Sequence, residues 1–225
     1  MCSREVDRPP QPVSNSTIEL TAVGPVERLS MTTMTATPAL PARRNRVLAD
    51  RLGGSLVREI ALVVGGTLAM IALARISVPL PFTPIPVSLG TLGALSVGTV
   101  LGARRGLISV LGYAALGVAG APVFTGSNVG WAFASFGYIL GYFLVAAIAG
   151  LAAERGADRR VITMAPTALV SLASVYIAGL AWMIPFTHMT FTDGLLKGFV
   201  PFIIGDLVKA AVATGLFPVL RSFFR

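Results

Sequence analysis

From Leu56 to the end, the chain is a series of long apolar runs separated by short charged or proline- and glycine-rich breaks. The first run, Leu56 to Ile76, carries Arg58 and Glu59 at its start and Arg75 near its end. A run of about 20 apolar residues is long enough to cross the hydrocarbon core of a bilayer as a helix. Next come 28 uncharged residues, Ile76 to Ala103, which begin with the segment ISVPLPFTPIPVSL. Pro79, Pro81, Pro84 and Pro86 remove backbone donors and clash with the preceding turn, so this segment is no regular helix. A short second helix is expected over Val87 to Gly102, with Arg104 and Arg105 as a tight turn. The 48 uncharged residues from Gly106 to Ala153 hold two further crossings, broken by the loop GAPVFTGSNVG. After a charged loop, Glu154 to Arg160, the 32 uncharged residues Val161 to Thr192 hold a fifth helix and begin a loop that reaches Lys197. Phe199 to Leu220 forms the sixth. The pattern predicts an all-α membrane protein with six transmembrane helices. A lipid-facing strand is excluded, since its edge groups would be left unpaired in hydrocarbon.

Composition agrees. Of the 225 residues, 54% are hydrophobic and 12% charged, with a mean hydropathy of +0.78, against about 25% charged in soluble domains. The formal charge of +8 would point to nucleic acid on a soluble chain. Here the basic residues flank apolar segments, so they orient the chain in the membrane and imply no nucleic-acid partner. Arg43, Arg44, Arg46, Arg51 and Arg58 precede helix one. Arg104 and Arg105 follow helix two, Arg155, Arg159 and Arg160 follow helix four, and Arg221 and Arg225 follow helix six. Basic residues concentrate on the cytoplasmic side, and an even number of crossings places all of these there, with both termini cytoplasmic. Only Arg75 and Lys197 are left near the opposite loops. Five or seven crossings would scatter the arginines.

Residues 1–50 have a different character. They are rich in Pro, Ser, Thr and Arg and contain no apolar run of signal-peptide length. They are expected to form a disordered cytoplasmic N-terminal tail, ahead of a six-helix domain over residues 55–225.

Asp206 and Lys209 lie three residues apart inside the last apolar run. A charge at the centre of such a helix costs about 2.5–3.5 kcal/mol on insertion scales. Ionisable groups at that depth face a bundle interior or a cavity and mark a substrate or ion site by default. At i and i+3 the two share a helix face with Ala213, whose small side chain leaves room beside them. A self-neutralising pair that only locks helix packing is the alternative. The outward loops PLPFTPIP and GAPVFTGSNVG carry Phe82, Phe124 and Asn128. Rigid aromatic loops at a bundle mouth suit capture of a small ligand with an apolar body; tight interhelical connections would look the same in sequence. Arg75, at the outer end of helix one, is placed to meet a ligand carboxylate or to snorkel to headgroups. Gly65 and Ala69 form a small-xxx-small pair, which permits close helix contact.

Three stretches carry a resemblance. VPLPFTPIPVSLGTLGALSVGTVLGARRGLISVLGYAALGVAGAPVF resembles the signature region of the BioY family, the biotin-specific substrate-binding (S) components of energy-coupling factor (ECF) transporters. GYILGYFLVAAIAGLAAERGADRR resembles that family's fourth helix and following loop, and FIIGDLVKAAVA its last helix. Together they span roughly Ala61 to Arg221. One segment departs from the pattern: where the family has G-P-T-G-G-Y before the fourth helix, this chain reads GSNVGWAFASFGYIL. It lacks the Pro-Thr-Gly but keeps Gly137 and Tyr138. Asn128, Trp131 and Ser135 are the residues there that could substitute.

The resemblance implies an ECF S-component fold with a high-affinity pocket near the outer face, in the cytoplasmic membrane. It implies biotin as ligand, with Asp206, Lys209, Phe82, Phe124, Asn128 and Tyr138 as binding residues. It further implies a transmembrane coupling subunit and ATPase subunits as partners beside the membrane lipids, with Gly65 and Ala69 as a docking face. An S component for riboflavin or thiamine, or a membrane scaffold, are the competing readings.

No catalytic function is expected. There is no G-x-x-x-x-G-K-[ST] loop for ATP and no nucleophile–base set. With Cys2 the only cysteine and His188 the only histidine, neither an intrachain disulfide nor a Cys/His metal site can form. No cofactor is implied, and His188 is given no role.

Overall fold

The computed structural model describes residues 47–52 and 55–223. Seven α-helices follow in order: α1 (Leu56–Arg75), α2 (Gly90–Leu101), α3 (Ala103–Val118), α4 (Phe136–Glu154), α5 (Val161–Thr187), α6 (Phe191–Gly198) and α7 (Ile203–Phe223). Among the described residues, four stretches are long and apolar enough to cross a membrane: Leu56–Arg75, Phe136–Glu154, Val161–Thr187 and the continuous run Phe191–Phe223. α2 is apolar but only 12 residues long. Most of the expected tail, residues 1–46, lies outside the described residues. Its last residues are folded: Val47 and Ala49 are buried, and Asp50 bonds Arg105 at 2.8 Å.

α4 is the central helix, packed against α2, α3 and α5. Two glycines explain how closely it is approached. A Cβ at Gly141 would sit 2.6 Å from the Val175 carbonyl of α5, and one at Gly98 would sit 2.5 Å from the Ala146 carbonyl of α4. Real Cβ atoms do not approach so near, so both contacts need glycine. Small residues are what membrane helices use to bring backbones together where hydrophobicity gives no drive. The core behind these contacts includes Leu95, Tyr113, Phe124, Val145, Leu172 and Phe217, all at most 2% exposed.

The link between α2 and α3 differs from expectation. The turn is Gly102 alone, at φ 87°, a left-handed backbone that only glycine adopts without strain. Arg104 and Arg105 belong instead to the first turn of α3. Arg105 bonds Glu59 of α1 at 2.6 Å and Asp50, and Glu154 at the end of α4 accepts from the Ala103 backbone N–H at 3.0 Å. Arg221 near the end of α7 bonds Asp158 in the α4–α5 connection at 2.7 Å. These contacts gather the starts of α1, α3 and α5 and the ends of α2, α4 and α7 at one basic end of the bundle. Burial pushes the Asp158 carboxyl above its ordinary range, against the opposing charge of Arg221.

At the other end, the proline-rich loop is a small antiparallel hairpin. β1 (Ser77–Val78) pairs with β2 (Val87–Ser88), Ser77 opposite Ser88 and Val78 opposite Val87. The prolines sit in its tip, where no ladder donor is needed. The Thr83 hydroxyl in that tip donates to the Lys197 carbonyl of α6 at 2.7 Å. Pro185 and Phe186 lie within α5, which His188 ends in a left-handed conformation at φ 54°. The loop beyond it contains α6, capped by Thr190, whose hydroxyl oxygen accepts from the Asp193 N–H.

Candidate functional site

α7 enters the bundle through a single 3-10 turn, Val200–Phe202, and its buried stripe is Asp206, Lys209, Ala210, Ala213, Phe217 and Arg221. The spacing is that of one helix face, so the two ionisable residues point inward with the small alanines. Asp206 is 9% exposed and Lys209 6%. Lys209 Nζ lies 3.0 Å from Asp206 Oδ1 and donates to Thr91 Oγ1 of α2 at 2.8 Å. Tyr176 of α5 donates its phenol to Asp206 Oδ2 at 2.5 Å. Three helices thus satisfy one buried ion pair. Without such bonds a buried charge would cost several kcal/mol. Lys209 has three N–H donors and the carboxylate has about four lone-pair sites, so the network leaves capacity for a ligand.

The pair forms part of a small cavity of about 40 Å3. Its walls are aromatic: Phe124, Phe133, Tyr138, Tyr142, Tyr176 and Phe202. Ile85 and Pro86 of the hairpin close it from one side, and Ser88, Thr91, Thr125 and Ser135 supply hydroxyls. Phe124 is fully buried and meets Tyr113 edge-on at 5.2 Å. Tyr138 stands perpendicular to Tyr176 at 6.1 Å and donates its hydroxyl to the Gly198 carbonyl at 2.7 Å. It therefore contributes its ring to the cavity, while its hydroxyl ties α4 to the end of α6.

Of the residues expected at the site, Asp206, Lys209, Phe124 and Tyr138 converge on this cavity, and Ser135 joins them. Phe82 and Asn128 do not. Phe82 is 59% exposed in the hairpin tip, because Ile85 and Pro86 take the inward positions. Asn128 turns its amide back to the Thr125 carbonyl at 3.0 Å and stabilises its own loop. Arg75 likewise serves this loop, donating to the Pro122 carbonyl and to Ser127. Trp131 is exposed and packs edge-on against Trp182 at 6.3 Å. Gly65 and Ala69 face outward on α1, and a Cβ on Gly65 would meet nothing within 4 Å.

Tyr176, Thr91 and Phe133 were not singled out in sequence. Tyr176 carried a usable signal: a phenol at the middle of a long apolar helix needs a buried partner. Thr91 had none, since threonine is common in membrane helices and bonds its own backbone.

The sequence profile of the BioY family matches residues 37–225. The chain belongs to the BioY family. As a BioY-family protein it has relatives across bacteria and archaea. It is 36% identical over 143 residues to the probable biotin transporter BioY of Pyrococcus horikoshii, an alignment covering 62% of this chain and 82% of that protein. It is 34% identical over 146 residues to the biotin transporter BioY of Rhizobium etli, covering 60% and 78%. Its fold matches the crystal structure of the S component for biotin from an ECF-type ABC transporter, with a TM-score of 0.67 and 25% identity, over 76% of this chain and 95% of that one. BioY-family membership and the apolar helices make this an integral membrane protein.

Proposed function

We propose that the protein captures biotin at the outer face of the cytoplasmic membrane, as the S component of an ECF-type transporter whose coupling and ATPase subunits are separate chains. The observation that carries this reading is the Asp206–Lys209 pair buried in an aromatic cavity, in a chain of the BioY family. Biotin presents a rigid apolar bicycle, two ureido N–H donors, one ureido carbonyl and a carboxylate. The carboxylate of Asp206 accepts a ureido N–H, and the remaining donor of Lys209 meets a ligand oxygen. Charge-assisted bonds of this kind are about twice as strong as neutral ones. Phe124 and Tyr138 flank the bicycle. The proposed contact set leaves out Phe82 and Asn128.

The reading includes six crossings with both termini cytoplasmic. In support, the arginine-bearing helix ends meet at one end of the bundle through the Arg105–Glu59, Glu154–Ala103 and Arg221–Asp158 contacts. α2 rises only about 18 Å, short of the roughly 30 Å core. Nine of its residues are buried in protein, and the β1–β2 hairpin continues it toward the outer side. Non-helical backbone at that depth is tolerated where protein covers it. α6, with Phe191 and Leu196 exposed beside Lys197, lies along the outer interface in this arrangement.

Calorimetric titration of the purified protein in nanodiscs with biotin, riboflavin and thiamine tests the proposal. Biotin should bind at nanomolar strength, about −12 kcal/mol. A folded protein that ignores biotin, or that prefers one of the other two vitamins, refutes it.

A further inference from the structure

The segment joining α3 to α4, residues 119–135, supplies Phe124, Thr125, Phe133 and Ser135 to the cavity, but its two halves are held differently. The first half is tied to α1 and α3. Arg75 donates to Pro122 and Ser127, Thr125 donates to the Ala74 carbonyl at 3.0 Å, and the Gly130 N–H donates to the Gly117 carbonyl at 2.8 Å. The second half begins after Gly130, which has φ 73°, and reaches across to α5. There the Trp182 indole N–H of α5 donates to the Phe133 carbonyl at 3.1 Å.

Trp182 does not line the cavity, yet it is held with care. Its ring meets Phe136 edge-on at 5.4 Å and lies nearly parallel to Phe186, at 18° and 6.1 Å. Gly137 leaves no room for a Cβ against the Trp182 Cβ, so the backbones of α4 and α5 approach directly beside the ring and fix where it stands. Phe133 in turn packs on Phe124 at 5.7 Å and on Phe136 at 5.8 Å. One chain of contacts therefore runs from Trp182 through Phe133 to Phe124, the last two being cavity wall.

We infer that Trp182 is a positioning residue for the ligand site: from behind the cavity it anchors Phe133, and so sets the aromatic wall formed by the part of the chain that lacks the family's Pro-Thr-Gly. An indole suits this role because it combines a broad apolar ring with a single directed N–H. A phenylalanine would keep most of the ring and lose the donor.

The inference rests on biotin binding in this cavity, and the experiment separates the two. The chain has two tryptophans, so W131F leaves Trp182 as the sole indole emitter. In that full-length protein, Trp182 emission should shift as biotin is added and saturate along the binding curve measured by calorimetry on the same variant. W182F, checked for folding by gel filtration and thermal melt, should bind biotin about tenfold more weakly than wild type, the scale of one lost hydrogen bond. If W182F does not fold, the W131F emission titration decides alone. No biotin binding by the wild type overturns the functional reading and this inference with it. Wild-type affinity in folded W182F, or unmoved Trp182 emission at saturating biotin, overturns this inference and leaves the functional reading standing.

Discussion

The Tyr176 phenol donates to Asp206 Oδ2 at 2.5 Å, opposite the oxygen that Lys209 engages. α5 and α2 thereby hold a carboxylate and an ammonium that both belong to α7. A buried pair satisfied on both sides is presented to a ligand in a set orientation, without the rotamer search that an exposed pair would undergo.

Asp206→Asn and Lys209→Ala should each weaken biotin binding by about 2–5 kcal/mol, the scale for truncating one member of a buried charge pair. The double variant should lose less than the sum, because each single change strands the other charge. Calorimetry on the three variants tests this. Normal binding by both single variants would make the pair a packing device and displace the proposed site.

Tyr176→Phe should lower the stability of the ligand-free protein by about 1.5–3 kcal/mol, the range for a hydrogen bond to a charged group. The check is a thermal or denaturant melt in detergent, alongside wild type. An unchanged melt would mean that water replaces the phenol at Asp206 without penalty.

Arg221→Ala should destabilise the bundle by about 3–5 kcal/mol, since it leaves Asp158, 1% exposed, without its cation. The change is at the end opposite the cavity. Biotin affinity of the folded fraction should therefore hold near the wild-type value, and a large loss there would reveal coupling along α7.

Deleting residues 1–43 should leave biotin affinity unchanged in correctly inserted protein. Deleting residues 1–52 should lower stability, because Val47 and Ala49 are buried and Asp50 is a partner of Arg105. Comparing insertion, melts and titrations of the two truncations distinguishes a dispensable tail from a structural edge. A loss of affinity already in the shorter truncation would contradict the proposed topology.

Gly65→Leu with Ala69→Leu should spare biotin binding and abolish co-purification with a coupling subunit, because both positions face outward and added bulk at 65 meets no neighbour. Intact co-purification would move the docking face elsewhere.

Sequence alone determined much of this protein. A charge among about 20 apolar residues is so unfavourable in lipid that the position of nearly every helix, the inward direction of Asp206 and Lys209, and the clustering of arginines at shared helix ends could be read directly from the chain. Local chemistry also excluded helix from the four-proline segment. What only the tertiary structure decided were the details set by contacts distant in sequence. Tyr176 and Thr91 became partners of the pair because α5 and α2, which glycine contacts such as Gly141–Val175 and Gly98–Ala146 hold against α4, also pack beside α7. Phe82 and Asn128 had the right chemistry for a ligand, yet a two-residue ladder turned Ile85 inward instead of Phe82, and Asn128 met its own backbone first. Periodicity reports which side of a helix avoids lipid; it does not report which loop side chain wins the space above a cavity, because that depends on turn geometry and on bonds such as Thr83–Lys197 and Trp182–Phe133 that join residues far apart in the chain.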